Sequence, residues 1–207
     1  IDFPDSWKPF ILSLDEFWSS CDLITQNLLR IGFSGKIVQV PTPVKINSDP
    51  RSIDFKTFSN ERIISDFKFY SIFQWNYRKG YDVLIESFLS EFSENDDVSL
   101  IIKTNPIVGS PKRDFLGIQY EIKKKLRKDS FAKIFFCDSK IPYEDICKIH
   151  STCDCFVLPH RGEGWGIPIH EALNSCNPVI TTKFGGITDY LNDDNAYLID
   201  YKISNVI

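Results

Sequence analysis

The chain predicts a doubly wound α/β fold, a parallel sheet with helices on both sides. Two observations carry this expectation. From Phe69 onward, short runs rich in aromatic and β-branched residues alternate with amphipathic helical runs, the order a parallel sheet requires. A glycine-rich segment, Pro159 to Leu173 (PHRGEGWGIPIHEAL), then separates a late strand from a helix, which is where such folds bind ligands.

The elements follow in order. The chain opens with Pro4, Trp7 and Pro9, and Asp22 to Arg30 carries helical periodicity through Leu23, Leu28 and Leu29. Gly32 follows as a C-terminal cap. Lys36 to Val40 (KIVQV) reads as a short buried strand. Pro41-Thr42-Pro43 and the polar run Asn47 to Arg51 have the composition of a linker, so a domain boundary is expected near residue 50, between units 1–50 and 51–207. Beyond it, Phe69 to Gln74, Val98 to Ile102, Ala132 to Phe136, Cys155 to Leu158 and Val179 to Thr181 read as strands. Between them lie four helical runs: Gly80 to Phe92, Phe115 to Lys128, Tyr143 to Ser151 and Pro168 to Asn174. The first of these sets Val83, Leu84, Phe88 and Leu89 on one face.

Composition narrows the function classes. With 207 residues, 43% hydrophobic and 25% charged, the chain is globular, and its 17 Phe, 8 Tyr and 4 Trp supply a sizeable core. A net charge of −4 gives no pull toward nucleic acid. The local run Lys123-Lys124-Lys125 reads as a solvated helix face, with a peripheral membrane contact as the lesser reading. No stretch is long and apolar enough to span a bilayer, and no secretory signal opens the chain. The six cysteines form no CxxC pair. They read as reduced core residues of a cytoplasmic protein, with zinc a poor second. The absence of Met, position 1 included, marks the chain as an excised or processed piece.

The loop after Leu158 holds the densest chemistry. Gly162, Gly164 and Gly166 are interleaved with Glu163 and Trp165, and Pro168 falls in the first helical turn. Glycines let a backbone approach a ligand closely. A helix starting near Gly166 would aim free N–H groups and its positive dipole end at an anion. Glu163 and Glu171, with seven residues between them, frame the turn. Acids beside an anion site make sense as partners of hydroxyls, although Glu171 also reads as an acid that solvates its helix. His160 has a ligand-orienting and a structural reading, and His170 is read as packing or surface rather than as a catalytic base. Trp165 is either an aromatic wall or a lid over the helix. Lys79-Gly80 is either a cation site or a plain turn that opens a helix.

Four segments in order carry a resemblance to a known family. GEGWGIPIHEAL resembles the E-x7-E element of retaining glycosyltransferases of family 4, which have the GT-B fold. RKGYDVLIESF (Arg78 to Phe88) is similar to that family's lysine-glycine segment. Ile141 to Pro159 resembles its approach to the glutamate motif, and NPVITTKFGGITDYL (Asn177 to Leu191) its double-glycine segment. Upstream, Asp15 through Pro43 resembles the end of the N-terminal, acceptor-binding domain and the interdomain linker.

The resemblance implies a Rossmann-like C-terminal half that binds a nucleotide diphosphate sugar. In that reading Lys79, with Arg78, neutralises the diphosphate together with the amides of Gly164, Trp165, Gly166 and Ile167. Glu163 holds the transferred sugar and Glu171 the ribose, while Gly185 and Gly186 form a second close turn. His160 lies nearby, and the loop at Cys137 and Asp138 faces the base. It implies no cofactor and no metal, transfer with retention, and an acceptor that is a glycan, lipid-linked sugar or protein. The fragment alone is expected to bind donor but to transfer poorly. Two departures stand out: Gln74 where the family has arginine, and Asp189 where it has glutamate. A donor-binding module that needs a partner subunit, and a nucleotide-sugar epimerase of the same fold, are the competing readings.

Overall fold

The computed structural model describes residues 3–45, 63, 65–105 and 110–204. The expected boundary near residue 50 lies outside them. Residues 3–45 hold helix α1 (Lys8–Leu12), strand β1 (Glu16–Ser19), helix α2 (Asp22–Arg30) and strand β2 (Lys36–Gln39). β1 and β2 pair in parallel, Phe17 opposite Ile37. Ile11, Leu28 and Phe33 form a small core of their own, packed by Phe17, Ile24 and Ile37. α2 ends as its sequence predicts: Gly32 takes φ +80°, and Phe33 N–H reaches back to the Leu28 carbonyl. β2 was expected to be buried, but it is exposed at both ends and half-buried between them, because its two-stranded sheet has few layers to cover it.

The rest of the described chain forms one six-stranded parallel sheet. Its strands are β3 (Phe67–Gln74), β4 (Val98–Asn105), β5 (Lys133–Cys137), β6 (Cys155–Leu158), β7 (Val179–Thr182) and β8 (Tyr197–Ile199). They lie in the order β5-β4-β3-β6-β7-β8. The order runs outward from β3 in one direction and resumes from β6 in the other, so the switch point of this doubly wound sheet falls between β3 and β6.

Helices α3 (Tyr81–Glu91), α4 (Pro111–Leu126), α5 (Tyr143–Thr152) and α6 (Ile167–Asn174) connect the strands. Alternation along β3 shows that both faces are covered. The Phe69 ring packs on Phe88 of α3, whereas the next residue, Tyr70, packs on His150 of α5. Burial on both faces explains why β4 opens as a nearly unbroken apolar run, with Leu100 and Ile102 fully enclosed. Burying each such side chain contributes roughly 1.5–3 kcal/mol.

Several elements run one or two residues past their expected limits, such as β3 from Phe67, and two run further. α4 starts at Pro111 rather than Phe115, because Ser110 caps it through Arg113 N–H and proline suits the first turn. β4 continues beyond Ile102 to Asn105, since Lys103, Thr104 and Asn105 stay in register with Ile72, Phe73 and Gln74. β1 and β8, of 4 and 3 residues, were not expected.

Candidate functional site

The loops after β3 and β6 leave neighbouring strands at the switch point, and the backbone presses them together. Gly80, at φ +71°, closes a 3-10 turn over Tyr77–Lys79. A Cβ at Gly80 would lie 1.9 Å from the Pro159 carbonyl oxygen, so only glycine lets the two loops meet. Arg161 then fastens them. Its N–H donates to Arg78 O at 2.7 Å, and its guanidinium binds both carboxylate oxygens of Asp82 at 2.7 Å. The same guanidinium lies 3.7 Å over the Tyr77 ring. Arg161 was not singled out in the sequence, where it reads as one residue of a glycine-rich loop.

This fastening brings together Lys79 and Glu163, 84 positions apart, as a directly hydrogen-bonded ion pair. Both side chains are only about one-tenth exposed, at 10% and 11%. Arg78 is more open, with Nη1 at 3.7 Å from the same Glu163 oxygen, and it also donates to the Gly162 carbonyl. The glycine pair supports the loop from behind. A Cβ on Gly185 would meet Glu163 O at 2.2 Å, and one on Gly186 would meet Gly164 O at 2.4 Å. Their close approach is therefore to the loop backbone itself.

α6 begins as its sequence predicts. Gly166 caps it at φ +72° with Pro168 in the first turn. Its first bonds run from Ile169 and His170 N–H to Gly166 O, so the Gly166 and Ile167 amides have no helical partner and lie at the positive end of α6, with Gly164 and Trp165 in the loop just before it. Trp165 packs on Tyr190 and donates its indole N–H to His170 Nδ1 at 3.1 Å. Tyr190 donates to the Trp165 carbonyl at 2.8 Å. This is the arrangement of a lid over the helix start. Of its packing and surface readings His170 takes the packing one, stacked on Tyr190.

His160 is 1% exposed, and among the described residues neither ring nitrogen has a hydrogen-bond partner. Burial pushes its pKa down to about 4, with Glu163 opposing and Lys79 and Arg78 adding to the shift. The imidazole is therefore neutral at pH 7, with one donor and one acceptor.

Glu171 does not solvate its helix. It is buried, accepts the Tyr143 hydroxyl at 2.7 Å, and lies 3.6 Å from His150 Nε2. His150 Nδ1 is 2.8 Å from the Tyr70 hydroxyl, and Asn177 donates to that hydroxyl at 2.7 Å. A buried polar chain thus backs the second glutamate. Asp189 faces elsewhere: its carboxylate accepts from Asp22 N–H at 2.8 Å and from the Gln39 amide at 3.1 Å, linking the 3-10 turn after Gly185 to α2 and β2.

A cavity of about 260 Å³ opens at the strand ends, lined by Gln74, Arg78, Lys79, Lys103, Asn105 and Pro168. A larger cleft of about 770 Å³ lies between α3 and α4, beside Tyr81, Glu86, Asp114 and Glu121. It has fewer features of a reaction site, since it lies off the strand ends and is lined by none of Arg78, Lys79 and Lys103. Among the described residues no group of His, Cys, Asp and Glu has metal-site geometry, and the six cysteines are free thiols. Lys123 pairs with Asp129 and Lys125 with Glu86, as solvated ion pairs. No described helix is long and apolar enough to cross a membrane.

Fold and site together define a Rossmann-like α/β unit whose charged centre sits at the switch point of the sheet. The chain belongs to the family described as glycosyl transferases group 1, which matches residues 53–205. No curated protein matches it. Solved structures share its fold. One is an α,α-trehalose-phosphate synthase (UDP-forming) from Burkholderia xenovorans, solved with glucose-6-phosphate. It has TM-score 0.74 and 12% identity, over 94% of this chain and 52% of that one. Another is Anabaena HepE in complex with UDP and glucose, with TM-score 0.65 and 16% identity over 90% and 49%. A third is the C-terminal domain of a Francisella tularensis group 1 glycosyltransferase, with TM-score 0.56 and 22% identity over 78% and 81%. The chain spans about half the length of the first two, and most of the isolated C-terminal domain.

Proposed function

We propose that this chain is the donor-binding half of a retaining glycosyltransferase that uses a nucleotide diphosphate sugar. The observation that carries the reading is the enclosed Lys79–Glu163 pair beside the free N-terminus of α6. A diphosphate entering there competes with Glu163 for the ammonium. Lys79 then turns to the phosphates, joined by Arg78 and the Gly164–Ile167 amides, and Glu163 is released to the sugar hydroxyls. Glu171, held by Tyr143, takes the ribose hydroxyls.

In the reaction the bond from the anomeric carbon to the diphosphate oxygen breaks, and its electron pair leaves on the phosphate. The acceptor oxygen bonds to the same face of the sugar, and its proton passes to the departing phosphate. Lys79, Arg78 and the helix terminus stabilise the charge that develops on the leaving group, so the proposed chemistry needs no metal. The acceptor, a glycan, lipid-linked sugar or protein, docks on a domain of which residues 3–45 form the end. Site occupancy in the cytoplasm, where nucleotide sugars are made, completes the reading.

A thermal-shift panel tests it. UDP, GDP or ADP raises the melting temperature of the wild-type chain, unchanged by EDTA, and Lys79→Ala abolishes the rise. No rise with any of the three overturns the donor-site assignment.

A further inference from the structure

Lys103 is a cation of the site with no carboxylate within ion-pair distance among the described residues. It lies at the C-terminal end of β4, on the same face as Gln74 and Asn105, and lines the cavity with Arg78 and Lys79. It is 3% exposed. Its Nζ donates to Thr104 O and to Asn105 Oδ1, both at 2.9 Å. Both acceptors are neutral, and an ammonium has three donors, so one N–H remains for the cavity. Among the described residues no carboxylate lies within ion-pair distance of it, whereas Lys79 is already matched by Glu163.

Burying an ammonium without a counter-charge is costly. Here burial lowers the pKa of Lys103, opposed by Cys137 and Asp138. A purely structural position would favour an apolar residue, as the three preceding positions, Leu100, Ile101 and Ile102, have. A buried cation at the edge of a ligand cavity fits a site completed by an anion.

We infer that Lys103 is a further donor-binding residue, a cationic ligand for the diphosphate supplied by β4 to the cavity that Lys79 also lines. This rests on the donor-site reading above and extends it to a residue from a neighbouring strand. Two phosphates bring roughly two or more negative charges, and the free site offers Arg78 and Lys103 before Lys79 is released from Glu163. Gln74, on the same face, is neutral and leaves this place to Lys103.

The test titrates the wild type, Lys103→Met, Lys103→Gln and Lys79→Ala with UDP, uridine and inorganic pyrophosphate, and records the melting temperature of each free protein. Lys103→Met keeps the chain length, and Lys103→Gln keeps a donor toward Thr104 O and Asn105 Oδ1 without the charge. The expected result is that both weaken UDP and pyrophosphate binding at least about tenfold, consistent with loss of a charge-assisted hydrogen bond. Uridine binding stays as in wild type, and the melting temperature of the free protein stays equal or rises, because a buried unpaired charge is gone. Unchanged UDP affinity in both variants, or a parallel loss of uridine binding, overturns the assignment. If Lys79→Ala loses UDP while both Lys103 variants keep it, the donor site stands and the role of Lys103 falls. If the wild type binds neither UDP nor pyrophosphate, both fall.

Discussion

Gly80→Ala combines two costs that two other glycines, Gly32 and Gly164, separate. Its φ of +71° belongs to the left-handed region, which costs an L-residue about 1–2 kcal/mol. Its new Cβ would also stand 1.9 Å from Pro159 O. To reach even 3.0 Å, the loops after β3 and β6 must part by about 1 Å, and overpacking of that kind costs roughly 1–3 kcal/mol. Gly32→Ala isolates the first cost, because its φ is +80° and nothing lies within 4 Å of the new Cβ. Gly164→Ala, with open space and no positive φ, is close to neutral for stability.

The order of destabilisation in chemical denaturation is therefore Gly80→Ala, then Gly32→Ala, then Gly164→Ala. Gly80→Ala lowers the melting temperature by about 4–20 °C. Parting the loops also pulls Lys79 from Glu163, and a misplacement of about 1 Å costs on the order of 10²-fold where groups must align. UDP affinity accordingly falls by about ten- to a hundredfold. If Gly80→Ala matches Gly32→Ala in stability and the wild type in UDP affinity, the two loops do not form the contact that assembles the site.

Further outcomes follow from single contacts. Tyr143→Phe removes the donor to Glu171, so UDP affinity falls by about tenfold, while 2′,3′-dideoxy-UDP, which has no ribose hydroxyls to lose, binds both proteins equally. Equal loss for both nucleotides separates Glu171 from the ribose. His160 has a folded-state pKa of about 4, against 6.5 for the unconstrained side chain, so the unfolded chain binds more protons between those values. Its contribution to stability is complete above pH 6.5 and is lost as pH falls toward 4, by up to about 3 kcal/mol. His160→Asn lacks that part of the slope in urea titrations, and an identical slope contradicts a buried neutral imidazole. Arg161→Ala breaks the half-exposed bidentate pair with Asp82 and the contact with the Tyr77 ring, and costs about 1–2 kcal/mol. No measurable loss means that the backbone contacts alone hold the loops.

Much of this structure was legible before any coordinates, because its signals are local. Short apolar runs rich in aromatic and β-branched residues marked five of the six strands in the large sheet, and Gly32 and Gly166 announced a helix end and a helix start through their freedom at positive φ. The loop holding Glu163 was found for the same reason. What stayed hidden depends on distant partners. The pairing of β4 with the full length of β3 decides that Lys103-Thr104-Asn105 is strand, and reading β4 as ending at Ile102 left Lys103 out of the site. Glu171 admits both a ribose-binding and a solvated reading until α5 brings Tyr143 and His150 against it. Gly185 and Gly186 advertise a close approach, but only the fold reveals that the approaching atoms are the carbonyls of Glu163 and Gly164. Asp189 looked like a shortened version of a site acid, and its bonds to Asp22 and Gln39 place it at the contact with the N-terminal residues.

A crystal structure of the chain with UDP bears most directly on the site at the switch point. The predicted result is a diphosphate between Lys79 Nζ and the Gly164–Ile167 amides, with Lys79 turned away from Glu163. A Lys79–Glu163 pair left intact, with UDP in the cleft between α3 and α4 or nowhere in the crystal, would contradict it.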